Sequence, residues 1–202
     1  QGQYAEAEPM YKRAYAILEK KLGTDHQDVA STLDDLAELY RLQGRPADAE
    51  PIYKRALTTW EKLLGRDNPN VANTSRKLAL LYSQLQRYAE AETQAKRSVA
   101  INEKIFGPWH PSLALSLSNL ADLYRAQKRF AEAEPLYKRV LAIREKAFGA
   151  EHPMIVLGLH DYSLLLWDMG RDKEASAMEA RSRAIRTKHP GWNNQMKEIL
   201  PK

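Results

Sequence analysis

The chain has 202 residues, of which 44% are hydrophobic, a formal net charge of +5 and no cysteine. Without cysteine it carries no disulfide framework, thiolate zinc site or cysteine nucleophile. No stretch reaches the roughly 18 apolar residues of a membrane span, and Glu6, Glu8 and Lys12 lie where a signal peptide would need an apolar run. We therefore expect a cytoplasmic protein that contacts no membrane.

The sequence repeats with a period of 42 residues. Glycines mark the period at Gly23, Gly65, Gly107 and Gly149, and alanines mark it at Ala7, Ala49, Ala91, Ala133 and Ala175. Between the glycines, apolar residues recur at helical spacing in two successive runs. Periods of this size are typical of stacked supersecondary units. The sequence therefore predicts an all-α solenoid of antiparallel helix pairs, in which each pair packs on its neighbours.

The period divides the chain into six segments. Residues 1–26 should supply the second helix of a truncated first pair, from about Tyr4 to Leu22, which suggests a fragment of a longer array. The remaining segments are three complete pairs, a divergent pair and a capping tail, expected at 27–68, 69–110, 111–152, 153–187 and 188–202. In the first complete pair the positions expected to be buried are Ala30, Leu33, Leu36, Ala37, Tyr40, Ala49, Ile52, Tyr53, Ala56, Leu57, Trp60, Leu63 and Leu64.

Two of the segments depart from the pattern. In 69–110, Ser75 replaces a leucine and Ala95 an aromatic residue, so we expect this pair to be the least stable. In 153–187, Glu179 and Arg183 replace packing residues, as a terminal pair with a polar outer face requires. In the tail, four apolar residues at i, i+4, i+7 and i+8 predict a short helix over the last pair; they are Trp192, Met196, Ile199 and Leu200.

The spacing of Leu117, Leu120, Ala121 and Tyr124, followed by Ala133 and Tyr137, resembles the tetratricopeptide repeat with leucine in place of its first tryptophan. The 42-residue period resembles the longer variety found in kinesin light chains. In that family the first helices of the pairs line a concave groove, which binds extended peptides or short helices. The resemblance thus implies a right-handed superhelix and a non-catalytic protein-binding scaffold.

The resemblance places a set of side chains in this groove. They are Ser31, Asp34, Asp35, Glu38 and Arg41 in the first complete pair, Asn73, Arg76, Lys77, Leu80 and Ser83 in the second, Leu115, Ser118, Asn119, Asp122 and Arg125 in the third, and Leu157, His160, Asp161, Leu164 and Trp167 in the fourth. By formal charge the groove is acidic at one end and basic in the middle, with an apolar and aromatic lining towards the C-terminal end.

Kinesin light chains have a Leu-Asn-Asn-Leu-Ala motif in this groove, and its second asparagine commonly binds the ligand backbone. Asn119 matches that asparagine, whereas Asp35, Lys77 and Asp161 take the equivalent places in the other pairs. The peptide specificity of kinesin light chains is therefore not carried over. We expect an acidic or amide-rich ligand residue near Arg76, Lys77 and Arg125 instead, and an apolar side chain near Leu157, Leu164 and Trp167.

Other chemistry finds little support. His26, His110 and His152 recur in register, but equivalent positions of packed helices lie roughly 8–10 Å apart, too far for shared zinc ligation with bonds near 2.0–2.1 Å. We interpret these histidines as shaping the loop before each helix. We find no nucleophile with a base and no phosphate-binding loop, so we expect no metal, no cofactor and no catalysis.

Two alternatives to a peptide-binding scaffold stay open. One is a structural spacer or self-association arm of a larger signalling or effector protein, in which the first helix would expose Tyr11, Ala14 and Leu18. The other is nucleic-acid binding, suggested by the positive charge. The recurring lysines lie four residues after a glutamate, however, as in Glu50 and Lys54, so we expect self-paired helix surfaces, and no basic–aromatic cluster is present.

Overall fold

The structure is a computed structural model that describes residues 2–189 and 191. Helices account for most of this part of the chain, and no strand occurs in it. The helices are α1 (Gly2–Leu22), α2 (Gln27–Leu42), α3 (Pro46–Leu64), α4 (Pro69–Gln84), α5 (Tyr88–Phe106), α6 (Pro111–Ala126), α7 (Phe130–Phe148), α8 (Ile155–Asp168) and α9 (Asp172–Lys188). The predicted all-α class is confirmed, whereas the helix expected around Trp192, Met196, Ile199 and Leu200 lies outside the described residues.

The helices belong to two compact units, which divide between Ile105 and Phe106. In the first unit α2 packs on α3, α1 packs on α2, and α3 packs on α4. In the second unit α6 packs on α7, α7 on α8, and α8 on α9. The first helices of successive pairs also touch, α2 with α4 and α6 with α8. Each unit therefore presents a face formed by two neighbouring first helices.

A polar residue precedes the first helix of each pair and binds its backbone. The side chains of His26, Asn68 and His110 accept hydrogen bonds from the N–H groups two residues later, at 3.2, 2.9 and 3.1 Å. His152 accepts one from the Met154 N–H at 3.2 Å, ahead of α8. Such bonds satisfy helix N–H groups that have no partner within the helix. The interpretation of the recurring histidines as residues of the loop and helix start is confirmed.

The turn between the two helices of a pair requires one residue with positive φ. Gly44 takes φ 72° in the first complete pair, and Lys128 takes φ 58° at the equivalent place. The Arg45 N–H then donates to the Tyr40 carbonyl at 2.9 Å, which closes the turn. The arginine side chain also lies over the tyrosine ring, at 4.3, 4.5 and 4.2 Å for Arg45 on Tyr40, Arg87 on Tyr82 and Arg129 on Tyr124.

Several basic side chains of the second helices are paired within the chain. The i,i+4 ion pairs expected from the sequence are present at 2.7–2.8 Å, and they are Glu8–Lys12, Glu50–Lys54, Glu92–Lys96 and Glu134–Lys138. Three of these glutamates also bind an arginine that lies between the two helices of the next pair. These ion pairs are Arg45–Glu8, Arg87–Glu50 and Arg171–Glu134. These lysines and arginines are consequently neutralised locally, which weakens the case for nucleic-acid binding.

The expected burial is correct for most core positions, with two corrections. Ile52, Leu63 and Leu64 are half-buried, because Ile52 packs at the edge of the Val29–Leu33–Ala56 cluster and the two leucines lie in the last turn of α3. The expectation that Tyr11, Ala14 and Leu18 would be exposed is wrong. All three are half-buried, since α1 packs on α2, and Leu18 packs against the same cluster. The exposed apolar side chains of α1 include Met10 (71%) and Ile17 (44%).

In both divergent helix pairs, the substituted residues lie where the sequence predicts, in the core of one pair and on the outer face of the other. Ser75 and Ala95 are buried, and the Ser75 hydroxyl has no hydrogen-bond partner among the described residues. Arg183 is exposed on α9, and Glu179 is half-buried. In the described range, each helix is too short or too polar to span a bilayer.

Candidate interaction surfaces

The predicted groove residues lie on two faces, one in each unit. The α2–α4 face carries the residues of the first two complete pairs, and the α6–α8 face carries those of the last two. Exposed members are Ser31, Asp35, Asn73, Leu115, Asp122 and Trp167; half-buried members are Glu38, Arg41, Arg76, Lys77, Leu80, Ser83, Asn119, Arg125, Leu157, His160, Asp161 and Leu164. Asp34 and Ser118 are buried, and the Asp34 carboxylate is occupied by Trp60 and Thr74, so the expectation that Asp34 faces a ligand directly needs correction.

Asp34 is the centre of a closed hydrogen-bond network behind the α2–α4 face. Its carboxylate accepts a hydrogen bond from Trp60 Nε1 at 2.9 Å and from the Thr74 hydroxyl at 2.7 Å, and only 6% of the residue is exposed. Burial raises the pKa of Asp34, while the bonds from Thr74 and Trp60 oppose that rise. Because its partners come from α3 and α4, Asp34 ties three helices together and contributes to stability.

Glu38 and Arg41 satisfy each other on the same face. Arg41 donates two hydrogen bonds to the Glu38 carboxylate, at 2.7 and 2.9 Å, and the Tyr53 hydroxyl donates a third. Burial alone would raise the pKa of Glu38, but the hydrogen bonds from Arg41 and Tyr53 lower it to about 2. Both charges are therefore held within the chain, and a ligand would have to compete with a bidentate pair.

Arg76 and Lys77 are the available cations of the α2–α4 face. Arg76 donates to the Asn73 side-chain oxygen at 2.9 Å, and Lys77 makes no hydrogen bond or ion pair with any described residue. Burial lowers the pKa of Arg76, and the nearby Glu38 charge acts in the opposite direction. With Glu38 already paired to Arg41, this part of the face offers positive charge to a ligand.

On the α6–α8 face, the charged residues divide into paired and unpaired groups. Arg125 Nε donates to Asp168 at 2.5 Å, so the arginine expected to meet an acidic ligand already has a carboxylate partner. Asp122 accepts a hydrogen bond from the Tyr137 hydroxyl. Asp161 makes no hydrogen bond or ion pair with a described residue, and burial, together with the Asp122 charge, raises its pKa to about 7.

Three polar side chains of the second unit contain buried atoms without a partner among the described residues. They are Ser118 Oγ, Asn119 Nδ2 and Arg144 Nη1. Ser118 is 5% exposed and Arg144 is 7% exposed. Arg144 belongs to α7, a second helix, so the assignment of groove positions from first helices missed it. A signal was present, since Arg144 lies two periods after Trp60, the tryptophan that binds Asp34.

The C-terminal part of the α6–α8 face is apolar and aromatic, as expected. Trp167 is 40% exposed and its Nε1 donates to Glu179 at 2.9 Å, which fixes the indole against α9. Leu157 and Leu164 are half-buried on the same helix. Beside them a recess of about 220 Å³ is lined by His160, Glu179, Ser182, Arg183 and Arg186. Burial in this region lowers the pKa of His160.

No group of three or more histidine, aspartate or glutamate side chains in the described part of the chain is placed to hold a metal ion. Titratable groups with shifted pKa values, such as Asp34, Glu38 and Asp161, are explained by burial and by neighbouring side chains. The two faces combine hydrogen-bond donors, charged groups and apolar surface.

The tetratricopeptide repeat family model matches residues 1–62, 35–104 and 112–188. These matches cover most of the chain, which therefore belongs to the tetratricopeptide repeat family. Members of this family generally act as non-catalytic scaffolds for protein–protein interaction. None of the curated proteins compared with the chain matches it.

Solved structures share the fold. The nearly identical TPR-like repeats of a provisionally assigned kinesin light chain from Podosopora anserina are 28% identical, with a TM-score of 0.77 over 93% of this chain and 89% of that one. BtubC (BKLC) from P. vanneervenii is 22% identical, with a TM-score of 0.82 over 94% and 76%. A Rap protein complexed with competence and sporulation factor is 17% identical, with a TM-score of 0.79 over 96% and 51%. The chain is thus of the kinesin-light-chain-like type.

Proposed function

We infer that each of the two faces of this scaffold, α2–α4 and α6–α8, binds an extended peptide segment of a partner protein. The observation that carries the proposal is Asn119, whose Nδ2 is buried without a partner among the described residues. Leaving a buried donor unpaired costs about 1–3 kcal/mol, which an acceptor on a ligand would recover. In kinesin light chains the equivalent asparagine commonly binds the ligand backbone, and a Rap protein that shares the fold has been solved in complex with competence and sporulation factor.

The charges and apolar side chains suggest where the peptide residues lie. Arg76 and Lys77 should contact an acidic or amide side chain, since Lys77 has no partner among the described residues and the neighbouring acid, Glu38, is occupied by Arg41. Leu164 and Trp167 should contact an apolar side chain. The remaining proposed contacts are Asp35, Asn73, Leu80, Asp122, Arg125, His160 and Asp161, with Leu157 at the apolar end.

The test is a peptide-display selection on the parent chain, followed by measurement of Kd for the selected peptides. We expect a shared motif, with affinity reduced in Asn119→Ala and in the Arg76→Glu, Lys77→Glu double variant. The matched control is Lys20→Glu, Lys21→Glu, which makes the same charge change on exposed adjacent lysines of α1. Absence of any selected peptide would refute peptide binding, whereas equal losses in both double variants would refute the siting at Arg76 and Lys77.

Self-association is the second candidate, because α1 exposes Met10 and Ile17 on its surface. Burying such side chains between two copies contributes about 25 cal/mol per Å² of apolar area removed from water. Light scattering over a dilution series would show a dimer that dissociates on dilution, and a Met10→Glu, Ile17→Glu variant should abolish it. A parent chain that stays monomeric at the highest concentration excludes this alternative.

A further inference from the structure

The polar network behind the α2–α4 face has a counterpart in the second unit, and the counterpart is open. The first network consists of Asp34, Trp60 and Thr74, and each member is hydrogen bonded. The residues two periods later are Ser118, Arg144 and Gly158. Here the Ser118 hydroxyl and Arg144 Nη1 have no partner among the described residues, although Ser118 and Arg144 are more than nine-tenths buried. The same positions therefore form a closed network in one unit and a set of unsatisfied groups in the other.

Gly158 of α8 makes room for the guanidinium of Arg144, which belongs to α7. A Cβ atom at Gly158 would lie 2.9 Å from Arg144 Nη1 and 2.9 Å from Leu141 Cδ2, closer than real Cβ contacts permit. Glycine inside a helix costs roughly 0.5–1 kcal/mol relative to alanine. The glycine therefore holds space for this guanidinium, at the place where Thr74 closes the first network. The charged groups that act on Arg144 are Asp122 on α6 and Asp161 on α8, the two helices of the α6–α8 face.

The exposed and half-buried neighbours define what a ligand must provide. Arg144 Nη1 and Asn119 Nδ2 are donors, so they require an acceptor oxygen. Asp161 makes no hydrogen bond with a described residue, so it can accept from an N–H group. A ligand carboxylate would meet the carboxyl groups of Asp122 and Asp161 beside the buried Arg144, while the nearby Arg125 is already paired with Asp168. A neutral amide group, which has both a carbonyl oxygen and an N–H, matches the donors and the acceptor together.

We propose that Arg144 binds a main-chain amide of the peptide partner on the α6–α8 face, its guanidinium donating to the carbonyl oxygen beside Asn119 and Asp161. This inference rests on the proposed peptide binding and adds a binding residue from a second helix. The Ser118 hydroxyl lies in the register that Asp34 occupies in the first unit, and it is a further hydrogen-bonding group at the same site. The site binds the peptide backbone, so it fixes the register of the peptide without selecting a side chain.

The experiment uses a peptide selected by display on the parent chain, and Kd is measured for the parent and for Arg144→Met. Methionine keeps the length of the side chain and removes the donors. We expect Kd to rise about 10-fold to 100-fold, the range for a lost hydrogen bond to a charged group. The unfolding midpoint is measured as well, because Arg144→Met removes the cation that acts on Asp122 and Asp161 and should lower stability. Kd is therefore measured at a temperature at which both proteins are folded. Lys138→Met is the control, since it makes the same charge change on an exposed position of α7.

An ester scan of the selected peptide identifies the group that Arg144 binds. Replacing one main-chain amide by an ester weakens its carbonyl as an acceptor and removes its N–H. We expect one position at which the ester weakens binding to the parent and has no effect on Arg144→Met. Gly158→Ala, which retains the arginine and displaces its guanidinium, should also weaken binding, and it keeps the test decisive if Arg144→Met fails to fold.

The outcomes separate this inference from the function on which it rests. If no peptide is selected on the parent, both are overturned. If peptides bind but Arg144→Met and Gly158→Ala change Kd no more than Lys138→Met does, peptide binding stands and the role of Arg144 is overturned. If the peptide group whose replacement weakens binding to the parent but not to Arg144→Met is an acidic side chain instead of a main-chain amide, the assignment of the ligand group is wrong.

Discussion

The Asp34 network of the first unit and the Arg144 cluster of the second unit occupy equivalent positions of the repeat, yet their hydrogen bonding differs completely. Asp34 is buried and receives bonds from Trp60 and Thr74. Arg144 is equally buried and has no hydrogen bond with a described residue. The same backbone frame can therefore hold a polar group that stabilises the fold or one that remains available for a partner.

The difference matters because buried polar groups are expensive when they are unpaired. A hydrogen bond to a charged group contributes about 1.5–3 kcal/mol, and an unpaired buried group costs about 1–3 kcal/mol. Removing Asp34 breaks hydrogen bonds to Trp60 and Thr74, whereas removing Arg144 breaks none with a described residue. Loss of stability is therefore the expected result of a substitution at Asp34, and loss of affinity for a partner is the expected result that separates Arg144 from it.

The largest expected effect is that of Asp34→Ser, which gives the first unit the residue that the second has at Ser118. The serine hydroxyl is too short to reach both Trp60 Nε1 and the Thr74 hydroxyl, so at least one buried donor loses its partner. We expect the free energy of unfolding to fall by about 2–3 kcal/mol, measured by urea denaturation at pH 7. Asp35→Ser, on the exposed adjacent residue, is the control. A loss for Asp34→Ser no larger than for this control would show that the network contributes nothing to stability.

Much of the helical scaffold that holds both clusters could be predicted from the sequence. The period, the histidines at the helix starts and the Glu–Lys pairs depend on residues close together in the chain, and local spacing reports them directly. Asp34 and Arg144 could not be assigned in this way. Whether Asp34 faces a ligand or Trp60 depends on distances between three helices, and Arg144 lies among apolar positions of α7 such as Val140 and Ile143. Aligning positions two periods apart matches Arg144 with Trp60. The alignment alone does not show that Arg144 lacks a hydrogen-bond partner.

The second prediction uses the pH dependence of stability to test the balance of charge among Arg144, Asp122 and Asp161. Burial and Asp122 raise the pKa of Asp161 to about 7, above the value of about 3.9 expected for an unfolded chain. The folded state therefore binds the proton more tightly. The stabilisation due to this proton is complete below pH about 4 and is lost as the pH rises through about 7. Asp161→Asn lacks this loss, because its side chain does not titrate.

We expect the parent and Asp161→Asn to differ in stability most above pH 7, where the variant should be more stable by on the order of 2 kcal/mol, with allowance for solvent screening. Urea denaturation at pH 5, 6, 7 and 8 measures the difference. Asp168→Asn tests the specificity of the effect, since Asp168 is exposed and paired with Arg125. Parallel stability curves for the parent and Asp161→Asn would mean that Asp161 is ionised in the folded state at much lower pH.

The smallest predicted effect compares two tyrosines at equivalent positions, whose hydroxyls both donate to a carboxylate. Tyr53 donates to Glu38, which also holds the bidentate Arg41, whereas Tyr137 donates to Asp122. Tyr53→Phe leaves Glu38 with its arginine, so we expect a loss of about 0.5 kcal/mol. Tyr137→Phe leaves Asp122 without that donor, and we expect about 1.5 kcal/mol, at the upper end of the range for one hydrogen bond.

Parallel urea denaturation of Tyr53→Phe and Tyr137→Phe measures the two losses, and each phenylalanine retains the ring that packs in the core. A larger loss at Tyr137 would extend the contrast between the units from one cluster to a second pair of equivalent positions. Equal losses would limit the difference between the units to Arg144 and its neighbours. They would show that Arg41 does not make Glu38 less dependent on its tyrosine than Asp122 is. A larger loss at Tyr53 would contradict the view that Glu38 is better satisfied by its neighbours than Asp122.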